Sequence, residues 1–181
     1  MLDINIVGKK LENLGFSLFS GVPCSFLKDL IDYLISKDKY IAAVNEADAV
    51  SIASGGYIGG LKTAVIMQNS GLINALSPLV SLNDTFKIPL LGFISLRGES
   101  GINDEPQHKL MGEIKTRLLD LANIEWKFLS KDTDEAYEQL IKANRLIETN
   151  KSFFFIVKKN TFKKLNISKK DLVIKDTYGD N

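Results

Sequence analysis

Short runs of apolar residues alternate along the chain with longer stretches whose apolar positions recur every three or four residues. The short runs lie at residues 16–22, 40–44, 63–68, 89–96, 125–129 and 153–157. Several are apolar almost throughout, the pattern of strands covered on both faces rather than one. The longer stretches lie at 5–14, 26–35, 47–57, 72–83, 108–122 and 134–148. In the second of these, Leu27, Leu30, Ile31, Leu34 and Ile35 fall on one helical stripe. Pro78 sits inside the fourth, where its missing N–H predicts a kink or break. The alternation predicts an α/β fold: a parallel six-stranded sheet with helices on both faces. Fold alone assigns no activity.

Composition narrows the function classes. The 181 residues suit one domain plus a tail, expected as a body over 1–160 and a charged extension over 161–181. From Lys158 onward there are seven Lys and three Asp, which leaves the preceding body at about −3 against the overall +1. Such a terminus reads as a solvated extension, or as a linker or docking arm toward another subunit. The near-zero net charge gives no footprint for nucleic acid. No stretch approaches the ~20 apolar residues of a membrane helix, and Asp3 with Lys9-Lys10 interrupts any signal-like run. A single cysteine, Cys24, excludes an intramolecular disulfide and suits a reducing compartment, so a cytoplasmic location is expected.

In an open α/β sheet, ligands bind outside the carboxyl ends of the strands. Four segments fall there: Gly21-Val22-Pro23-Cys24-Ser25, Asn45-Glu46-Ala47-Asp48, Gln68-Asn69-Ser70-Gly71, and the loop 97–107 with His108 just beyond. Each has a plainer reading. Pro23 and Ser25 can start a helix, Glu46 suits a helix dipole, and Ser70-Gly71 is ordinary capping chemistry. Arg97 can pair with Glu99 or Asp104 in its own loop, and Cys24 fits either a small buried residue or a functional thiol. Gly55-Gly56 and Gly59-Gly60 follow a helical stretch rather than opening one, so they do not form a dinucleotide fingerprint. They read as ending a helix and permitting close packing.

The runs Asn45-Glu46-Ala47-Asp48-Ala49-Val50 and Ala53-Ser54-Gly55-Gly56-Tyr57 resemble the glutamate helix of thiamine-diphosphate enzymes. Gln68-Asn69-Ser70-Gly71 with Asn74-Ala75 is similar to their next strand-to-helix turn. With Gly21-Val22-Pro23, Arg97-Gly98-Glu99 and Asp104-Glu105-Pro106-Gln107-His108, the set looks like the phosphonopyruvate decarboxylase family, with sulfopyruvate decarboxylase a close relative. The resemblance spans about residues 21–129. Cys24 stands where the phosphonate enzymes are expected to carry Asp.

The resemblance implies a pyrimidine-binding domain of thiamine-diphosphate type, acting as one subunit of a decarboxylase for a small anionic 2-oxo acid. It makes Glu46 the partner of the aminopyrimidine ring, beside Gln68, Asn69 and Ser70. His108 becomes a proton-transfer group, while Ser25, Arg97 and Gln107 become substrate contacts. Asp48 is read as structural. No Gly-Asp-Gly run occurs in the sequence, so diphosphate and Mg²⁺ are expected on a beta-type partner chain, with no metal ligand here. A sulfopyruvate decarboxylase alpha subunit and a non-catalytic assembly module are the alternatives.

Overall fold

A computed structural model describes residues 1–165. The strands are β1 (Phe16–Gly21), β2 (Tyr40–Ala42), β3 (Lys62–Gln68), β4 (Leu91–Ser95), β5 (Glu125–Phe128) and β6 (Phe153–Val157). The helices are α1 (Ile4–Asn13), α2 (Lys28–Ser36), α3 (Glu46–Ile58), α4 (Leu72–Pro78), α5 (Lys109–Leu121) and α6 (Thr133–Glu148). All strands run parallel in one sheet of order β2-β1-β3-β4-β6-β5.

The continuous apolar runs arise because the inner strands are covered twice. Ala64, Ile66, Leu91, Phe93, Phe153 and Phe155 face a core shared with α1, α2 and α6. Their neighbours Val65, Met67, Ile94, Phe154 and Ile156 face a second core, built with α3, α4 and α5. Side chains alternate across a strand, so both parities must be apolar. Fully burying each of the larger of these side chains contributes about 1.5–3 kcal/mol. The edge strands β2 and β5 lack this double cover. β2 stops at Ala42, short of the predicted 44, and Val44 is 92% exposed.

Pro78 does end the regular helix. After it the chain winds a π-helical turn over Leu79–Asp84, the wider spacing accommodating a ring that supplies no N–H. The apolar stripe Leu72, Leu76 and Leu79 packs inward: Leu72 and Leu79 are buried in the second core, with Leu76 against it. Ile73 and Val80 carry the outward apolar surface of this segment instead. Gly59 and Gly60 close α3, whereas Gly55 and Gly56 lie within it. A side chain at Gly56 would meet Leu18.

The packed body continues past residue 160. Phe162 is buried against the first core, Leu2 bridges to it, and Leu165 N donates to Asp29 Oδ1 at 2.8 Å. The rest of the predicted tail lies outside the described residues. No helix among the described residues is long and apolar enough to cross a membrane.

Candidate active site

The chain leaves β1 toward α2 on one face and β3 toward α4 on the other, although the two strands are neighbours. Such divergence opens a crevice at the carboxyl edge of the sheet. The four segments singled out in the sequence all meet there.

Glu46 is the first residue of α3. Asn45 caps the helix, its Oδ1 accepting from Ala47 N at 2.9 Å and Asp48 N at 3.0 Å. Asp48 turns back to accept from Asn45 Nδ2 at 2.7 Å, which ties it to the cap. The cap starts the helix so that the Glu46 side chain lies between α3 and the turn preceding α4. There it is only 9% exposed. Its Oε2 accepts from Asn74 Nδ2 at 2.9 Å. Its Oε1 accepts no hydrogen bond among the described residues and packs against Gly71, where an added Cβ would lie 2.0 Å from it. The glycine is required by this contact rather than by its backbone, since φ is −74°.

The turn after β3 links Glu46 to the next part of the edge. Asn69 is fully buried; its Nδ2 donates to Arg97 O at 2.8 Å and its Oδ1 accepts from Arg97 N at 3.3 Å. Gln68 Nε2 donates to Ser70 Oγ. Cys24 is buried, its Sγ 3.0 Å from Ser95 Oγ and 3.9 Å from Gln68 Oε1. It packs in the floor of the crevice between the ends of three strands.

Of the two partners open to Arg97 within its loop, Asp104 is the one found. Arg97 Nε donates to Asp104 Oδ2 at 2.9 Å, and Arg97 Nη2 to Oδ1 at 2.5 Å. Glu99 pairs with Lys158 instead. Asp104 also accepts from Gly98 N at 2.8 Å and Glu105 N at 2.9 Å. The Arg97 guanidinium, followed by these N–H groups, holds the Asp104 carboxyl well below the usual carboxylate range. Arg97 is raised in return, chiefly by the same hydrogen bond.

Gly98 has φ +70°, and a side chain there would strike the carbonyl of His108. The loop is thereby seated on the start of α5. His108 ends a 3₁₀ turn, Pro106–His108, and its Nδ1 is buried without a hydrogen-bond partner among the described residues. Ser25 and Gln107 are exposed and make no side-chain hydrogen bond among the described residues. Thus Glu46 and the 68–71 turn are brought together, with Cys24 against Gln68 and Arg97 against Asn69, while Ser25 and Gln107 stand free at the rim. No cluster of three or more His, Cys, Asp or Glu among the described residues is placed to hold a metal.

No protein-family model matches the sequence. Individual relatives do match. It is 42% identical over 129 residues to a phosphonopyruvate decarboxylase of Streptomyces viridochromogenes, covering 70% of this chain and 32% of that protein. It is 36% identical over 143 residues to the sulfopyruvate decarboxylase subunit alpha of Methanococcus maripaludis, covering 77% and 84% respectively. For the subunit alpha of Methanocaldococcus jannaschii the identity is 39% over 136 residues, with 73% and 78% covered. The chain belongs to the phosphonopyruvate and sulfopyruvate decarboxylase family.

Within that family it spans about a third of the length of the phosphonopyruvate decarboxylases it matches. The fold is similar to that of benzoylformate decarboxylase from Polynucleobacter necessarius, with TM-score 0.70 and 19% identity, covering 93% of this chain and 32% of that one. A protein from Mycobacterium smegmatis assigned as a thiamin diphosphate-dependent enzyme is similar at TM-score 0.67 and 15% identity, covering 93% and 33%. Three features of this family member went unassigned in the sequence. Asn74 stands in the motif without a role, Asp104 in the motif and as one of two possible partners for Arg97, and Phe26 only in a helical pattern. The Arg97 guanidinium carbon lies 4.8 Å from the Phe26 ring centroid.

Proposed function

We propose that this chain is the pyrimidine-side subunit of a thiamine-diphosphate-dependent decarboxylase. Its substrate is a 2-oxo acid with an anionic tail, 3-phosphonopyruvate, which it converts to phosphonoacetaldehyde and CO₂. The observation that carries the reading is the state of Glu46. One carboxyl oxygen is tied to Asn74, and the other, beside a glycine, has no donor among the described residues. A carboxyl so held has a fixed direction and one oxygen available for a ring nitrogen. These residues therefore fit the aminopyrimidine half of the cofactor, with Gln68, Asn69 and Ser70 alongside. When bound, thiamine diphosphate supplies the electron sink that decarboxylation of a 2-oxo acid needs.

The chain's own residues do the rest. Glu46 orients the ring and holds the proton shared with its nitrogen. His108, whose buried Nδ1 has no partner among the described residues, moves a proton near the reacting centre. Arg97, with Nη1 outside the Asp104 fork, reaches the anionic tail together with Ser25 and Gln107. A beta-type partner chain holds the diphosphate and Mg²⁺ and covers this edge. Support for such a cover comes from large apolar side chains exposed beside the site residues: Val44 at 92%, Ile73 at 55% and Leu110 at 62%. A cytoplasmic location belongs to the same reading.

Sulfopyruvate as substrate has an observation of its own: the chain covers 84% and 78% of two sulfopyruvate decarboxylase alpha subunits. Co-expression with a candidate diphosphate-domain partner, followed by CO₂ release from 3-phosphonopyruvate, 3-sulfopyruvate and pyruvate, tests both. Preferential turnover of the phosphonate supports the main reading and preferential turnover of the sulfonate the second. No release from any of the three contradicts the decarboxylase assignment.

A further inference from the structure

β4 and β6 lie side by side with Ser95 in register with Val157, and Leu96 N donates to Val157 O at 2.8 Å. The register therefore brings Arg97 out of the sheet beside Lys158 and Lys159. Lys158 is neutralised by Glu99. Lys159 has no salt bridge among the described residues, and its Nζ lies 5.8 Å from the centroid of Phe26. The same ring stands 4.8 Å from the Arg97 guanidinium carbon.

An aromatic face attracts cations through its quadrupole but removes none of their charge. Asp104 balances Arg97 and leaves the ammonium of Lys159 unbalanced beside it. The turn carrying Lys159 is also fixed. Lys131 Nζ donates to Lys159 O at 3.1 Å, and Thr161 Oγ1 donates to Lys158 O at 2.8 Å. Leu2 N in turn donates to Thr161 O at 2.8 Å. A cation on an anchored turn, next to an aimed guanidinium at the rim of the crevice, is arranged for an anion with several oxygens.

We infer that Lys159 and Arg97, flanking Phe26, form the seat for a tetrahedral anionic tail, a phosphonate or sulfonate, and set the preference for tailed over plain 2-oxo acids. The role in substrate choice rests on the decarboxylase reading; the anion seat itself does not.

The test titrates the full chain with methylphosphonate, methanesulfonate and acetate while following backbone amide resonances. Saturable shifts at Phe26, Arg97 and Lys159 are expected with the first two, with affinities at least tenfold tighter than for acetate. K159E should weaken them at least tenfold and K159R should retain them. K142E, which reverses a charge on the exposed face of α6, should leave them unchanged. In the assembled enzyme, K159A should raise KM for tailed substrates about tenfold with kcat nearly unchanged, and leave pyruvate kinetics alone. No saturable response, or equal weakening by K159E and K142E, overturns the seat even if the assembled enzyme decarboxylates. Anion binding lost only in K159E, with no turnover of any 2-oxo acid, would keep the seat and remove the decarboxylase reading.

Discussion

Asn74 Nδ2 donates to Glu46 Oε2 at 2.9 Å, from one helix to its neighbour, and this bond fixes the direction of the carboxyl. A hydrogen bond to a charged acceptor contributes about 1.5–3 kcal/mol. Asn74→Ala is therefore expected to lower kcat of the assembled enzyme roughly ten- to a hundredfold. Loss of the bond should also lower the thermal melt, by roughly 2–4 °C for each kcal/mol lost. Unchanged kcat would show that Asn74 does not orient Glu46.

Gly71 gives a sharper separation of fold from function. Its φ of −74° suits any residue, so Gly71→Ala adds no backbone strain and the chain should still fold. The new methyl would lie 2.0 Å from Oε1 and 2.1 Å from the carboxyl carbon, so Glu46 must swing away. Decarboxylation should fall on the order of a hundredfold, the scale of losing a general acid–base group. Rates near the parent's with an unchanged melt would contradict the packing of Glu46 on Gly71.

Much of this edge was legible in the sequence, for physical reasons that can be named. The inner strands announce themselves because double cover makes both parities apolar, as in Phe153–Val157. Asn69 and Arg97 stood out because they follow such strands closely, and Glu46 because it opens the helix after the edge strand β2. The edge strand β2 was overextended to Val44, since an exposed valine reads as a buried one when the sheet's edge is unknown. The stripe Leu72, Leu76 and Leu79 turns inward, and periodicity shows that a face exists but not which way it turns. Glu46–Asn74 and Phe26–Lys159 are contacts between separate segments, set by strand order and register rather than by any local pattern.

The Arg97–Asp104 pair gives the loop a defined pH response. The Asp104 carboxyl is lowered in the folded chain from a usual value of about 3.9. Its stabilisation is therefore present above that value and lost only as pH falls through the lower, folded one. The Gly98 amide, which donates to Asp104 Oδ2 at 2.8 Å, should stay protected from hydrogen exchange down to about pH 4 and open in stronger acid. D104N should lose that protection at neutral pH. Loss of protection in the parent chain at or above pH 4 would contradict the pair's strength.

With the diphosphate and metal held by a partner chain, this chain alone should bind the cofactor poorly. Calorimetry of the purified chain with thiamine diphosphate and Mg²⁺ should show weak binding or none, since diphosphate and metal need oxygen ligands on a dedicated loop of the partner. Adding that partner should produce a heteromer that binds the cofactor. Micromolar binding with decarboxylation by the chain alone would refute the division of the site between two chains.

The most direct measurement concerns Glu46 in the assembled enzyme: the exchange rate of the thiazolium C2 proton of bound thiamine diphosphate, in the parent and in E46Q. Glutamine keeps the shape and the Asn74 contact but cannot hold the proton shared with the ring. Exchange and turnover are both expected to fall by about two orders of magnitude or more, with circular dichroism and assembly unchanged. Near-parental exchange in E46Q would contradict the assignment of Glu46, and with it the proposed role of this chain.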